Sequence, residues 1–119
     1  MLVKAKLIYT TWVGHLPNIP RTSRYTYGNR VDTLFLAFLE KTYSVSYMPT
    51  KEKSAGLKEL ITILDTLRFL FQLGYESKLI PEKKYIELST PLIEIGKMLG
   101  GWKKGIDDKM TQTKTPPML

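Results

Sequence analysis

Residues 85–106 read YIELSTPLIEIGKMLGGWKKGI. Within them Tyr85, Leu88, Leu92, Ile95, Leu99, Trp102 and Ile106 recur at steps of 3, 4, 3, 4, 3 and 4. That is an a/d heptad, the seam by which one helix docks into a bundle. It predicts a helix starting at Pro81, a favoured first helical residue, with the seam residues buried, Trp102 among them. Pro91 falls inside the pattern. Proline lacks the N–H that closes a helical turn and usually kinks its helix. The heptad keeps its phase across Pro91, so a bend is expected and not a break.

Working back towards the N-terminus, residues 50–78 carry Leu57, Leu60, Ile61, Leu64, Leu67 and Phe71 at helical spacing. Thr50 is the expected cap and Glu52 lies in an acidic first turn. Gly74 weakens the last turn by roughly 1 kcal/mol relative to Ala. Residues 23–47 repeat Val31, Leu34, Phe35, Phe38, Thr42 and Val45 at threes and fours. Residues 43–47 also suit a strand, but the helical period runs on unbroken from Val31. Thr22 or Ser23 is placed to cap this helix, and Pro49 ends it. Residues 2–16 form the first helix, with Val3, Leu7, Ile8 and Trp12 as inward candidates, and Pro17 and Pro20 stop it. Four long helices with short connections predict an all-α, up-and-down antiparallel four-helix bundle over residues 1–106. Residues 107–119 are polar and contain Pro116 and Pro117. They read as a flexible C-terminal tail.

Composition narrows the function classes. The chain has 119 residues with no cysteine and one histidine, His15. Disulfides, thiolate metal sites, iron–sulfur clusters and a thiol nucleophile are excluded. A site of two or three histidines within one chain is excluded too. No metal or cofactor is expected. The longest apolar run, residues 34–39, falls far short of the roughly 20 residues that span a bilayer. No signal peptide is read at the N-terminus, and a cytoplasmic location with no membrane partner is expected.

No catalytic constellation appears, so the chain does not read as an enzyme. A lone His near a helix end is usually a packing or surface residue. Residues 100–104, GGWKK, lack the spacing of a phosphate loop and follow no strand. Gly96 and Gly100, four apart, suggest close helix approach. The basic residues say more. Eighteen Lys and Arg against 11 Asp and Glu give a formal charge of +7, which suits phosphate backbones or an acidic partner. Arg21, Arg24 and Arg30 are interleaved with Tyr25 and Tyr27 at the start of the second helix. Arg offers phosphate a two-pronged fork, and aromatic rings stack on unpaired bases. Lys78, Lys83 and Lys84 flank the turn between the third and fourth helices, and Lys97, Lys103 and Lys104 lie along the fourth. The second helix begins where the third finishes, so Arg21, Arg24, Lys78, Lys83 and Lys84 should gather at one end. A basic face that is simply solvated accounts for the same charges.

The third helix carries more apolar surface than one bundle seam uses. Phe69, Leu70 and Leu73 fall outside its inner stripe, as do Leu36, Leu39, Tyr43 and Tyr47 on the second helix. Such surplus is commonly covered by another subunit, and a homo-oligomer through Phe69, Leu70 and Leu73 is expected. A broad monomeric core would absorb the same residues.

Two stretches bear a resemblance. IPRTSRYTYG (residues 19–28) resembles the FPKxxRYxLG signature at the second helix of a bacterial four-helix-bundle family. IGKMLGGW (residues 95–102) resembles that family's EIGRMLGGW ending. Lys78, Leu79 and Ile80, followed by Lys84 and Tyr85, resemble its turn between the third and fourth helices. The family includes the accessory variability determinant proteins of diversity-generating retroelements. It also includes proteins encoded in intervening sequences of bacterial ribosomal RNA genes. The resemblance implies a ring-like homopentamer with a basic surface. For the retroelement members it implies binding of a reverse transcriptase and of template RNA or an RNA–DNA hybrid, in support of mutagenic cDNA synthesis that the accessory protein does not itself catalyse. Lys97 stands where the family usually has Arg, which keeps the charge and loses the fork. Pro91 stands where it usually has a plain helix former.

Overall fold

The computed structural model describes residues 1–114, with side chains through 111. Helix α1 spans Leu2–His15 and is followed by a short 3₁₀ turn, Leu16–Asn18. Helix α2 covers residues 21–46 in three continuous pieces: Arg21–Ser23, a π turn over Arg24–Gly28, and Asn29–Ser46. Helix α3 spans Thr50–Glu76 and helix α4 spans Glu82–Lys114. Each helix packs on its chain neighbours, and α1 closes the bundle against α4. The expected all-helical, antiparallel four-helix arrangement is the one observed.

The helix starts differ from expectation in their chemistry. Thr22, Ser23 and Thr50 lie within their helices and make no cap there; Pro20 and Pro49 precede α2 and α3. The first backbone bonds of α2, α3 and α4 go to proline carbonyls, from Ser23 and Arg24 to Pro20, from Glu52 to Pro49 and from Tyr85 to Pro81. Proline suits this place, because its missing N–H would have had no helical partner.

The inner stripe of α2 is buried throughout, from Val31 to Val45. On α3, Leu57, Leu60, Leu64, Leu67 and Phe71 are buried and Ile61 is half-buried. On α4, Leu88, Leu92, Ile95 and Leu99 are fully enclosed. Aromatic rings fill the centre: Trp12 lies 5.6 Å from Phe71, and Phe35 meets Tyr9, Phe38 and Phe71 edge-on. The helix runs through Pro91 without a break.

Three sequence expectations are corrected. On α1 the buried residues are Ala5, Ile8, Trp12 and His15, whereas Val3 and Leu7 are 71% and 65% exposed. Small Ala5 takes the inward place expected of Val3 and Leu7, beside Ile8 and Trp12. On α4 the seam loses its enclosure at its ends: Tyr85, Trp102 and Ile106 are only partly buried. The tail expected from Asp107 is helical over residues 107–114; its remainder, 115–119, lies outside the described residues. Ile106 and Met110 carry the four-residue step onward from Trp102, both partly buried. Ser54 Oγ donates to Asp107 Oδ1 at 2.5 Å, which ties this part of α4 to α3, and Lys103, one turn earlier on α4, donates from Nζ to Asp107 Oδ2 at 2.7 Å.

Helix lengths set the shape. At 1.5 Å per residue, the 14 residues of α1 reach about 21 Å and the 33 of α4 about 50 Å. Lys4, near the start of α1, pairs with Glu94 in the middle of α4. Four helices therefore surround the core at the end holding the α1–α2 and α3–α4 connections. Three continue to the other end, and past Leu99 no described side chain of α4 is buried.

Candidate nucleic-acid interface

The α1–α2 and α3–α4 connections meet at one end of the bundle, called here the turn end. His15 is buried with Nε2 3.3 Å from the Leu79 carbonyl oxygen, so the one histidine serves packing across the two connections. Tyr27, in the π turn, reaches across to α3. Its hydroxyl donates to the Leu70 carbonyl at 2.5 Å, and burial pushes its ionisation above the ordinary tyrosine range. Its ring occupies the space beside Gly74, where an added Cβ would lie 2.2 Å from the Tyr27 hydroxyl. Gly74 is thus a close-approach site, beyond the helix weakness expected of it. Buried Gly28 plays the same part against Leu16, whose Cδ1 would stand 3.0 Å from an added Cβ. A π turn is wider than an α turn and is frequent where a helix is adapted to a particular task.

The ten expected binding residues fall into three groups. Arg21, Tyr25, Lys78 and Lys83 are exposed around the turn end, and the three cations have no ion-pair partner among the described residues. Lys78 follows α3 with φ of 62°, while the N–H groups of Leu79 and Ile80 both bond the Gly74 carbonyl. This is a left-handed helix stop, where glycine is usual and another residue costs about 1 kcal/mol. The protein holds a lysine there instead. Arg24 and Lys84 share this end but are engaged. Arg24 Nη2 donates to the carbonyls of Pro17 at 2.9 Å and Ile19 at 3.1 Å, so its fork staples the connection it follows. Lys84 pairs with Glu87 at 3.1 Å. Arg30 is exposed further along α2.

The third group lies elsewhere. Along α4, Lys97 stands about 20 Å beyond Lys83, and Lys103 and Lys104 about 30 Å beyond it. Lys103 and Lys104 belong to the opposite, open end. There a groove of about 560 Å³ runs between α3 and α4, lined by Lys51, Ser54, Lys58, Lys103, Asp107 and Met110 among others. Lys53 lies over the Trp102 ring, 5.9 Å from its centroid. Sequence reading missed Lys51, Lys53 and Lys58. The seven-residue interval from Lys51 to Lys58 places both on one side of α3, and that interval was the available signal.

The Asp107 contacts give an acid-sensitivity prediction. The hydrogen bond from Lys103, then that from Ser54, holds the Asp107 carboxyl below its ordinary range. A carboxyl lowered on folding stabilises the folded form above its unfolded pKa, near 4. That contribution is lost as pH falls through the lower, folded value. Amide protons over residues 103–111 are expected to lose protection in acid before those of 88–99. Asp107→Asn should remove the difference in pH response between the two stretches, read by hydrogen exchange.

Of the expected subunit-contact residues, Phe69 and Leu73 are exposed, at 60% and 41%, and Leu70 is partly buried against the core. Phe69 lines a shallow groove with Tyr85, Ser89 and exposed Ile93. Gly96 has Leu64 Cδ2 at 3.4 Å from an added Cβ, an ordinary contact, whereas Gly100 has nothing within 4 Å. Among the described residues, no group of His, Asp and Glu is arranged to hold a metal ion. None of the described helices is long and apolar enough to cross a membrane.

No protein-family model, curated protein or solved structure matches this chain.

Proposed function

We propose that the chain is a non-catalytic accessory protein that binds a reverse transcriptase and its template RNA, or an RNA–DNA hybrid, through a basic surface. The observation that carries this reading is the gathering of Arg21, Lys78 and Lys83, exposed and without an ion-pair partner among the described residues, at the end where two helix connections meet. The resemblance of residues 19–28 and 95–102 to the retroelement accessory family supports the choice of partner. The strained placement of Lys78 supports a use for its charge, since conformational strain is characteristically held at functional positions. Exposed Phe69 and Leu73 support assembly into a ring-like homo-oligomer, a pentamer by the same resemblance. Closed symmetry would repeat the basic end once per subunit.

Each phosphate contact releases counterions, so RNA affinity should fall by about one log–log unit of salt per contact. Arg21→Ala combined with Lys83→Ala should flatten that slope by about two contacts per engaged subunit. It should weaken binding to unrelated RNAs alike, because phosphate contacts position without specifying sequence. Arg24 is left intact in this test because its fork holds the α1–α2 connection. The measurement is a salt titration of RNA binding, followed by pull-down with a reverse transcriptase of the retroelement class. Slopes that are flat and identical for both proteins reject the phosphate surface. Wild-type protein that retains RNA but no polymerase points instead to the intervening-sequence branch, an RNA-binding scaffold without that partner.

A further inference from the structure

Helix α1 has two apolar sides, and the bundle uses one. Ala5, Ile8, Trp12 and His15 face inward. Val3, Leu7 and Val13 are exposed on the other side, with exposed Lys6 and Thr10 among them. Steps of three and four keep these five on one outward stripe. Helix α3 has the same surplus: Asp65, Phe69, Leu73 and Glu76 follow at steps of 4, 4 and 3, and all are exposed. The two stripes look away from each other. Helix α1 packs on α2 and α4 and stands diagonally across the core from α3, where Trp12 meets Phe71. The stripes also lie at one level along the bundle. Leu7 shares a recess with Glu87 and Pro91 of α4, and Phe69 shares another with Ser89 and Ile93 of the same helix. Both α1 and α3 run towards the turn end, so they are parallel.

Exposed apolar stripes of this kind mark contact surfaces, and charge selects the partner. Helix α1 carries no acidic residue. Between residues 65 and 76, α3 carries the carboxylates Asp65 and Glu76 and one cation, Arg68, which turns into the recess beside α4. Lys6 and Asp65 are exposed, and neither has an ion-pair partner among the described residues. Two α1 stripes laid together would set lysines against each other, and two α3 stripes would do the same with carboxylates. An α1 stripe on an α3 stripe matches apolar to apolar and opposes unlike charges. One chain cannot join its own two stripes, but two copies can. We propose that copies of this chain join head to tail, the outer stripe of α1 lying parallel along the outer stripe of α3 in the next copy, with Leu7 on Phe69 and Lys6 beside Asp65. Because the stripes share one level, successive copies gain no rise along the bundle axis. That is the condition under which a head-to-tail contact closes into a ring and does not climb into a filament. This deepens the homo-oligomer proposed above, and rests on it, by naming the face that covers Phe69 and Leu73.

The test is light scattering of the full chain at micromolar concentration, where wild type should have the mass of several chains. Leu7→Glu and Phe69→Glu should each give the mass of one chain. Both positions are exposed, so helix content should persist, as checked by circular dichroism. Mixed in equal amounts, the two variants should form a pair of chains and stop there. The Phe69 face of the Leu7→Glu protein and the Leu7 face of the Phe69→Glu protein are intact, and the other two faces are blocked. Lys6→Glu and Asp65→Lys should each raise the concentration for half-assembly by about 5-fold, the upper scale of an exposed ion pair. Combining them should restore it. A Leu7→Glu protein that assembles like wild type overturns this joint and leaves the homo-oligomer standing. Variants that each remain dimers alone, with no new species on mixing, overturn it in favour of self-paired faces. A monomeric wild type removes the oligomer and this joint together.

Discussion

Gly74→Ala is expected to destabilise the protein by about 3 kcal/mol, although alanine is the better helix former. Helix propensity favours Ala over Gly by about 1 kcal/mol in a helix interior. Against it, the new Cβ would lie 2.2 Å from the Tyr27 hydroxyl, 2.8 Å from Cζ and 2.9 Å from Ile80 Cδ1. Tyr27 cannot simply swing away. Its hydroxyl is bonded to the Leu70 carbonyl and its ring closes the turn end. Overpacking costs about 1–3 kcal/mol, and a lost buried hydrogen bond adds about 1–3 kcal/mol. The clash therefore outweighs propensity. Chemical denaturation of Gly74→Ala measures the loss. Tyr27→Leu, which shortens the side chain facing Gly74, should make the same Gly74→Ala change nearly neutral, so that the two substitutions couple strongly. A stabilised Gly74→Ala protein would show that Tyr27 does not sit against α3.

The two tryptophans should respond very differently to truncation. Trp12 is fully enclosed beside Phe71, and Trp12→Ala should cost about 3–5 kcal/mol. Its indole Nε1 has no hydrogen-bond partner among the described residues, so removing it sacrifices packing and no hydrogen bond. Trp102, which the heptad places in the buried seam, is partly exposed under Lys53. Trp102→Ala should cost only about 1 kcal/mol, the common size for a substitution that leaves no deep cavity. Urea denaturation of the two variants compares the losses directly. Similar losses would return Trp102 to the core and place the end of α4 inside a fourth wall.

These two residues show where sequence periodicity succeeds and where it stops. The stripes on α2, α3 and the centre of α4 were legible because each combines a long 3.6-residue repeat with a polar opposite face. Helix α1 has no such contrast. Leu2, Val3, Ala5, Leu7 and Ile8 offer apolar residues on every side, and the buried face pairs Ile8 and Trp12 with Ala5 and His15, residues that carry little hydrophobic signal. The Trp102 error arises because a heptad marks which side of a helix faces its neighbours but not whether neighbours are there. Helix α1 ends its coverage too early. For the candidate site, residue types were readable and engagements were not. Arg24 looks like a phosphate ligand until the chain brings the Pro17 and Ile19 carbonyls to its fork. Lys51 and Lys58 meet Lys103 only through the pairing of α3 with α4.

The mismatch between α1 and α4 makes this a rod of uneven stiffness. Around Leu88 to Leu99 each turn of α4 is clamped by enclosed side chains. Beyond them Gly100, Gly101 and Gly105 follow within six residues, and an added Cβ on any of them would meet no atom within 4 Å. Each glycine there gives up about 1 kcal/mol of helical preference relative to Ala, with no packing to compensate. Thermal fluctuation should therefore be concentrated in the distal third of α4, where the Ser54–Asp107 hydrogen bond ties the helix to α3. One end of the molecule is a fixed anchor and the other a compliant arm, able to adjust its angle against whatever lies across it while the anchor keeps its form.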